Sequence, residues 1–205
     1  MASDRRAQIL DEAMALADEE GLDGLTMRGL ARRLGLTPMA LYPHVGTREE
    51  LLDSLLGRLL AEVPLPASGD WRERLSGLAR SLRAVARAHP GYFSLIFTRP
   101  AVSPRTIAVV EYIFQALLEA GVPDAEVLRA ERLMSTFVLG YALSEVSGRF
   151  SAGRLAPAAR RGQLADEEIP AHRRLAAELD SPVSWTDEFE ADLADMLAML
   201  AHLGR

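Results

Sequence analysis

The chain has 205 residues, of which 49% are apolar and 25% charged, a formal net charge of −6 and no cysteine; this suits a globular chain of one or two domains with a sizeable core. The lack of cysteine excludes disulfides, thiolate metal sites and a cysteine nucleophile, and the acidic total excludes a surface coated with nucleic-acid-binding charge. No apolar run approaches the roughly 20 residues that cross a bilayer, so a cytoplasmic protein with no membrane partner is expected.

Apolar residues recur at spacings of three and four rather than two, which predicts an all-α fold. A first helix is expected over 4–20, with Ile9, Ala13 and Leu16 on one face and Gly21 as a left-handed stop. Thr26 caps a second helix that runs to Leu34 and is closed by Gly35. Thr37 caps a short third helix, with Pro38 at the first helical position, where its missing N–H costs nothing. Thr47 opens a fourth: Thr47 and Glu50 have capping-box spacing, and Leu52, Leu55, Leu56, Leu59 and Val63 line one side. The stretch VPLPASGD at 63–70 is the first strong break, and it divides an N-terminal domain, 1–62, from a second domain, 70–205. Helices are expected there over 71–89, 91–97, 104–120, 124–150, 172–179 and 186–203, with a loop or frayed helix at 151–169.

Charge is distributed unevenly along this plan. From 24 to 48 there is no Asp or Glu, while Arg28, Arg32, Arg33 and Arg48 give +4 and His44 can add to it. Carboxylates crowd both flanks: Asp18, Glu19, Glu20 and Asp23 on one side, Glu49, Glu50 and Asp53 on the other. A stretch cleared of negative charge is suited to phosphates. The same stretch has the form of a helix-turn-helix: Ala31 is small where two helices would cross, Gly35 permits the turn, and Leu36, Leu41 and Val45 anchor the second helix. Pro38, Met39, Ala40, Tyr42, Pro43 and His44 are left pointing outward. That small, apolar and aromatic face suits a DNA major groove, where Met39 and Ala40 meet thymine methyls and Tyr42 and His44 bond phosphates or base edges.

The segment LTMRGLARRLGLTPMALYPHVGTREELLDSLL resembles the DNA-binding region of the TetR (tetracycline-repressor) family, and DWRERLSGLARSLR, FTRP and FVLGYALSEV resemble that family's regulatory domain in the same order. The resemblance implies a homodimeric, ligand-responsive transcription repressor without enzyme activity or cofactor. Residues and resemblance together give a DNA-contacting set: Thr26 and Arg28 on the first helix of the motif, Thr37, Pro38, Met39, Ala40, Tyr42, Pro43 and His44 on the second, and Arg48 as a phosphate contact at the start of helix four. Pro43 departs from the family, which often has a DNA-contacting side chain there. Without an N–H to bond the Met39 carbonyl, Pro43 should tighten or kink the helix.

The resemblance also implies a ligand-binding cavity at Leu78, Leu82, Phe93, Phe97, Thr98, Glu111, Gln115, Met134, Phe137 and Tyr141. Leu95 stands where the tetracycline binder has a metal-ligand His, and Leu78 and Leu82 are apolar. Magnesium-tetracycline is therefore not expected, and the implied effector is more lipophilic, with Thr98, Glu111, Gln115 and Tyr141 as polar anchors. Dimerisation is expected on the helix through 137–146, where Gly140, Ala142 and Ser144 permit close approach, and on the last helix, where Phe189, Leu193, Met196, Leu197 and Leu200 form a stripe. A two-fold pair would read a palindromic double-stranded operator. An activator of the same fold is the alternative within this class. An all-helical enzyme is the alternative outside it, but His44, His89, His172 and His202 are scattered, the carboxylates of 166–168 lie in a solvated run, and HExxH, GxSxG and GxGxxG do not occur.

Overall fold

The computed structural model describes residues 2–66, 68–99, 103–150 and 157–204, and among them every regular element is a helix. The first helix, α1, spans Ala2–Gly24. Its helical geometry breaks at Gly21, where φ is 75°, and one further turn follows. Next come α2 (Met27–Arg33), a 3-10 turn at Pro38–Ala40, α3 (Tyr42–Val45) and α4 (Arg48–Ala61). The capping box that opens α4 is complete: the Glu50 N–H donates to Thr47 Oγ1 at 3.3 Å and the Thr47 N–H donates to Glu50 Oε2 at 2.7 Å. Ile9, Ala13 and Leu16 of α1 meet Leu30, Leu41, Leu51, Leu55 and Leu59 in a core that excludes water. Each such leucine contributes about 1.5–3 kcal/mol by leaving water.

The second part holds α5 (Trp71–Ala88), α6 (Leu95–Thr98), α7 (Pro104–Glu119), α8 (Asp124–Val146) and α12 (Trp185–Leu203). Helix α5 packs on α7 and α8, and α12 lies across α8 and α5. Between α8 and α12 come α9 (Pro157–Arg161), a 3-10 turn at Asp166–Glu168, α10 (Pro170–Arg174) and α11 (Ala176–Asp180).

Several boundaries differ from the sequence expectation. The helix expected over 91–97 is a series of turns followed by the single turn of α6, because His89, preceding Pro90, sits at φ −129° and ψ 58° and leaves the helical region. The helix expected to reach 150 stops at Val146, where Gly148 adopts φ 75° and the Arg149 N–H turns back to the Ser144 carbonyl at 3.0 Å. The helix expected over 172–179 divides at Leu175. Of the expected loop at 151–169, residues 151–156 lie outside the described residues and the remainder contains α9. The stripe on α12 is largely spent inside the chain: Phe189, Leu193, Leu197 and Leu200 are buried. No helix among the described residues is long and apolar enough to cross a membrane.

The two parts are bolted together by polar contacts around a continuous apolar core. Arg99 donates from Nε to Asp53 Oδ1 at 2.7 Å and from Nη2 to the Glu49 carbonyl at 3.1 Å. Arg105 donates to the carbonyls of Leu60, at 3.0 Å, and Val63. Val63 is fully buried, and the Tyr112 hydroxyl donates to the Pro66 carbonyl at 2.9 Å, so the connecting segment is pinned as well as proline-stiffened. Gly91 sits directly on α1: a Cβ there would lie 2.0 Å from the Ala17 carbonyl oxygen.

His89, the cap residue of α5, closes the joint. Its Nδ1 lies 2.9 Å from Asp18 Oδ2 of α1, and its Nε2 lies 2.9 Å from Glu62 Oε2 at the end of α4. Two carboxylate acceptors require both ring nitrogens to donate, which is the imidazolium form. Burial pushes the His89 pKa down, but the hydrogen bonds to Asp18 and Glu62 outweigh it and hold the group above the ordinary 6.5. A raised folded pKa gives stability that is complete below 6.5 and is lost as pH rises through the folded value. Thermal melts at rising pH should therefore show stability falling once pH passes 6.5 and the imidazolium loses its proton. In the His89→Gln variant that pH-dependent step should be absent; an unchanged step would assign it to another group.

Candidate nucleic-acid interface and effector cavity

The turn that presents the reading segment is built by local chemistry. Thr26 Oγ1 accepts from the Gly29 N–H at 3.0 Å and starts α2. Gly35, at φ 65°, ends it. Beyond the end, the Gly35 N–H donates to the Arg32 carbonyl at 3.2 Å and the Leu36 N–H to the Ala31 carbonyl at 2.9 Å, the paired bonds of a Schellman stop. Ala31, Leu41 and Val45 are buried as anchors and Leu36 is partly buried against them.

The expected single third helix is two pieces. The Ala40 and Leu41 N–H groups bond the Thr37 and Pro38 carbonyls in 3-10 fashion, and α3 begins only at Tyr42. Pro43 accounts for the break, since it has no N–H to extend an α-helical ladder from Met39. Thr37 makes no side-chain cap bond, so its expected capping role is not observed and its exposed hydroxyl stays open to a partner. Met39, 75% exposed, is the most exposed large apolar side chain among the described residues, and Tyr42 is 43% exposed close to it in sequence. Pro43 is exposed, and Pro38, Ala40 and His44 are half-buried at the sides of the same ridge.

The positive charge of the window is smaller than its count of arginines. Arg33 is spent on α1, with Nε 2.5 Å from Glu12 Oε1 and Nη1 2.5 Å from Glu19 Oε2. Arg48 places Nη2 3.1 Å from the Leu22 carbonyl and Nε 3.4 Å from that of Leu25, tying the start of α4 to the α1–α2 connection, while its Nη1 lies 3.9 Å from Glu49 Oε1 and the side chain stays partly exposed. Arg28 and Arg32 are exposed on the motif. The usable charge therefore lies at Arg28, Arg32 and the outer side of Arg48.

In the second part a cavity of about 160 Å³ lies among α4, α5, α6, α7 and α8. Its lining is Leu60, Leu82, Ile96, Val109, Val110, Ile113 and Leu139, with Thr106, Glu131 and Ser135 as the polar members. Of the positions expected for ligand binding, Leu82 lines this cavity. Leu78, Phe93 and Met134 are buried in the core. Phe97 and Thr98 are exposed at α6, and Glu111 and Gln115 are exposed on the outer face of α7, where the Gln115 amide donates to Glu111 Oε1 at 2.8 Å. Phe137 and Tyr141 stack around Phe189 of α12, and the Tyr141 hydroxyl donates to the Trp185 carbonyl at 2.7 Å.

Sequence reading missed a buried pair beside those rings. Arg83 is 6% exposed and forms a two-pronged ion pair with Glu145, Nε to Oε2 at 2.7 Å and Nη2 to Oε1 at 2.8 Å. A signal exists in the sequence: Arg83 falls among Leu75, Leu78, Ala79, Leu82 and Ala86 on the buried face of α5. Among the described residues no cluster of three His, Cys, Asp or Glu side chains could hold a metal ion.

A short exposed helical segment presented by a Gly turn, on an all-helical body with a small apolar pocket, is the arrangement of helix-turn-helix transcription regulators. Residues 9–55 match the family of bacterial regulatory proteins, tetR family, and residues 63–202 match the tetracyclin repressor-like C-terminal domain. The chain belongs to the tetR family, whose members are DNA-binding regulators and not enzymes. It is similar to an HTH-type transcriptional regulator of Saccharopolyspora erythraea, 36% identical over 67% of this chain and 59% of that protein, so it spans well under two thirds of that relative. It is also similar to the tetracycline repressor protein class A from transposon 1721 in Escherichia coli, 36% identical over 84% of this chain and 78% of that one. Among solved structures, Streptomyces coelicolor ActR in complex with actinorhodin superposes with a TM-score of 0.83 at 30% identity, covering 97% of each chain. BioQ with its double-stranded DNA operator superposes with a TM-score of 0.65 at 33% identity, covering 70% of this chain and 88% of that one.

Proposed function

We propose that the protein is a transcriptional repressor that binds a palindromic operator as a homodimer and is released by a small lipophilic effector. The observation that carries this reading is the exposed ridge of Met39 and Tyr42 inside a stretch without carboxylates. Similar structures solved with a double-stranded DNA operator and with actinorhodin, and a similar tetracycline repressor protein, support it. The DNA contacts assigned are Tyr42, His44, Met39 and Ala40 to the groove and Arg28, Thr26, Thr37 and Arg48 to its walls. Support for the dimer comes from the outer face of α8 and α12: a Cβ on Gly140 would meet nothing within 4 Å, and Leu133 and Met199 are 38% exposed. An effector in the cavity would press on Leu60, which α4 contributes. Because α4 follows the reading segment directly, its displacement changes the spacing of the two reading heads. Full switching from 1:99 to 99:1 takes about 5.5 kcal/mol of preference for the released state.

The test is fluorescence anisotropy of the purified protein on DNA flanking its own gene and on a scrambled duplex, at two salt concentrations. Tight binding to the first duplex alone, weakening with salt, is the expected result. Tyr42→Ala should weaken it by about 1 kcal/mol at each half-site, roughly 30-fold over two, with the melting curve unchanged. Equal binding to both duplexes by the wild-type protein and by Tyr42→Ala would overturn the reading.

A further inference from the structure

We propose that the cavity selects a lipophilic cation, a compact apolar group carrying a protonated amine, and that Glu131 receives the charge. This rests on reading the cavity as the effector site. At about 160 Å³ the cavity matches in volume the engineered apolar cavity that holds a benzene ring, but it opens to the surface on one side, which gives a ligand a way in. Its walls are aliphatic apart from Thr106 of α7 and Glu131 and Ser135 of α8.

Glu131 is half-buried there, and one of its oxygens accepts from the Ser135 hydroxyl at 2.7 Å. No ion pair to Glu131 occurs among the described residues. Four arginines of the surrounding elements are committed elsewhere: Arg83 and Arg87 to Glu145, Arg99 to Asp53 and Glu49, and Arg105 to the carbonyls of Leu60 and Val63. A carboxylate beside an apolar void, with its second oxygen open, is costly to desolvate unless a cation arrives with the ligand. A carboxylate ligand would meet like charge, and a neutral one would cover Glu131 without compensating it. Charge therefore decides which apolar molecules the site takes, and Ser135 fixes the carboxylate orientation that receives them.

Isothermal calorimetry on the full chain with three probes of one ring and similar length tests this: 2-phenylethylamine, 2-phenylethanol and 3-phenylpropanoate. The amine should bind about tenfold or more tightly than the alcohol, and the propanoate should bind least. In Glu131→Gln the advantage of the amine should vanish while the affinity for the alcohol and the melting temperature are kept. Equal binding of amine and alcohol by the wild-type protein, or an advantage that survives in Glu131→Gln, overturns the cation assignment and leaves the cavity as an effector site. Absence of binding by both amine and alcohol overturns the cavity reading and the assignment with it. If the amine binds with the expected Glu131 dependence and leaves operator binding unchanged, the charge selection stands and the effector role of the cavity falls.

Discussion

Replacing Glu145 with alanine is expected to lower the stability of the folded chain by about 3–5 kcal/mol, because it leaves the Arg83 charge buried without a partner. A further carboxylate acting on the guanidinium, Glu190, is already paired with Arg80, and the Thr186 hydroxyl accepts from Nη2 only at 3.4 Å. That Nη2 also donates to the Trp185 carbonyl at 3.2 Å, and the guanidinium carbon lies 4.8 Å from the centre of the Phe189 ring, but neither contact neutralises the charge. The Arg83 hydrogen bonds hold the Glu145 carboxyl below its ordinary value of 4.5. The pair is therefore intact at neutral pH, and its contribution fades only as pH falls through that depressed value. Urea denaturation should show the midpoint falling with an unchanged slope. Arg83→Met combined with Glu145→Leu should recover most of the loss, since an apolar pair of similar volume needs no counter-charge. A loss below about 1 kcal/mol in Glu145→Ala would show that water reaches Arg83 after all.

The second large effect is expected at Gly91. An alanine Cβ at this position would lie 2.0 Å from the Ala17 carbonyl oxygen and 2.7 Å from the Asp18 Cα, both backbone atoms of α1. Ala17 is fully buried, so α1 cannot retreat without opening its own core. Gly91→Ala should cost about 3 kcal/mol and should lift the loop that holds His89 away from Asp18. Two measurements separate these consequences: the melting temperature reports the clash, and operator release by a bound effector reports the loosened joint. Gly57, inside α4, is the control, because its added Cβ meets nothing within 4 Å. Gly57→Ala should be stabilising by about 0.5–1 kcal/mol. If Gly91→Ala behaved like that control, close packing of this loop on α1 would not be what joins the two parts.

The elements that sequence made legible are those set by neighbouring residues. Thr26, Gly35 and the Thr47–Glu50 box each act within a few positions, and the structure repeats them bond for bond. The effect of Pro43 was legible for the same reason. What depends on partners distant in the chain was not. Arg33 counts as free charge in a window, but helix packing brings Glu12 and Glu19 to it. Arg83 and Glu145 are 62 positions apart and meet only once α5 lies on α8. The effector positions show a further limit. Resemblance carries Glu111 and Gln115 into a cavity, yet Val109, Ile113, Ala116 and Leu117 form the buried face of α7. At 3.6 residues per turn, 111 and 115 fall on the opposite side, so helical rotation already argued against the transfer. Periodicity shows which face turns inward; it does not show where facing side chains fail to fill the space, and that is what a cavity is.

The division of the reading segment between anchors and ridge bears on how such a regulator can change its target. Leu41 and Val45 carry the attachment to the core, and the six outward positions between 38 and 44 are not needed to fill it. New letters can be written there while the frame that holds the page stays the same. On the proposed function, operator preference and effector preference would lie on separately editable surfaces, and a gene duplicate could retarget one while inheriting the other intact.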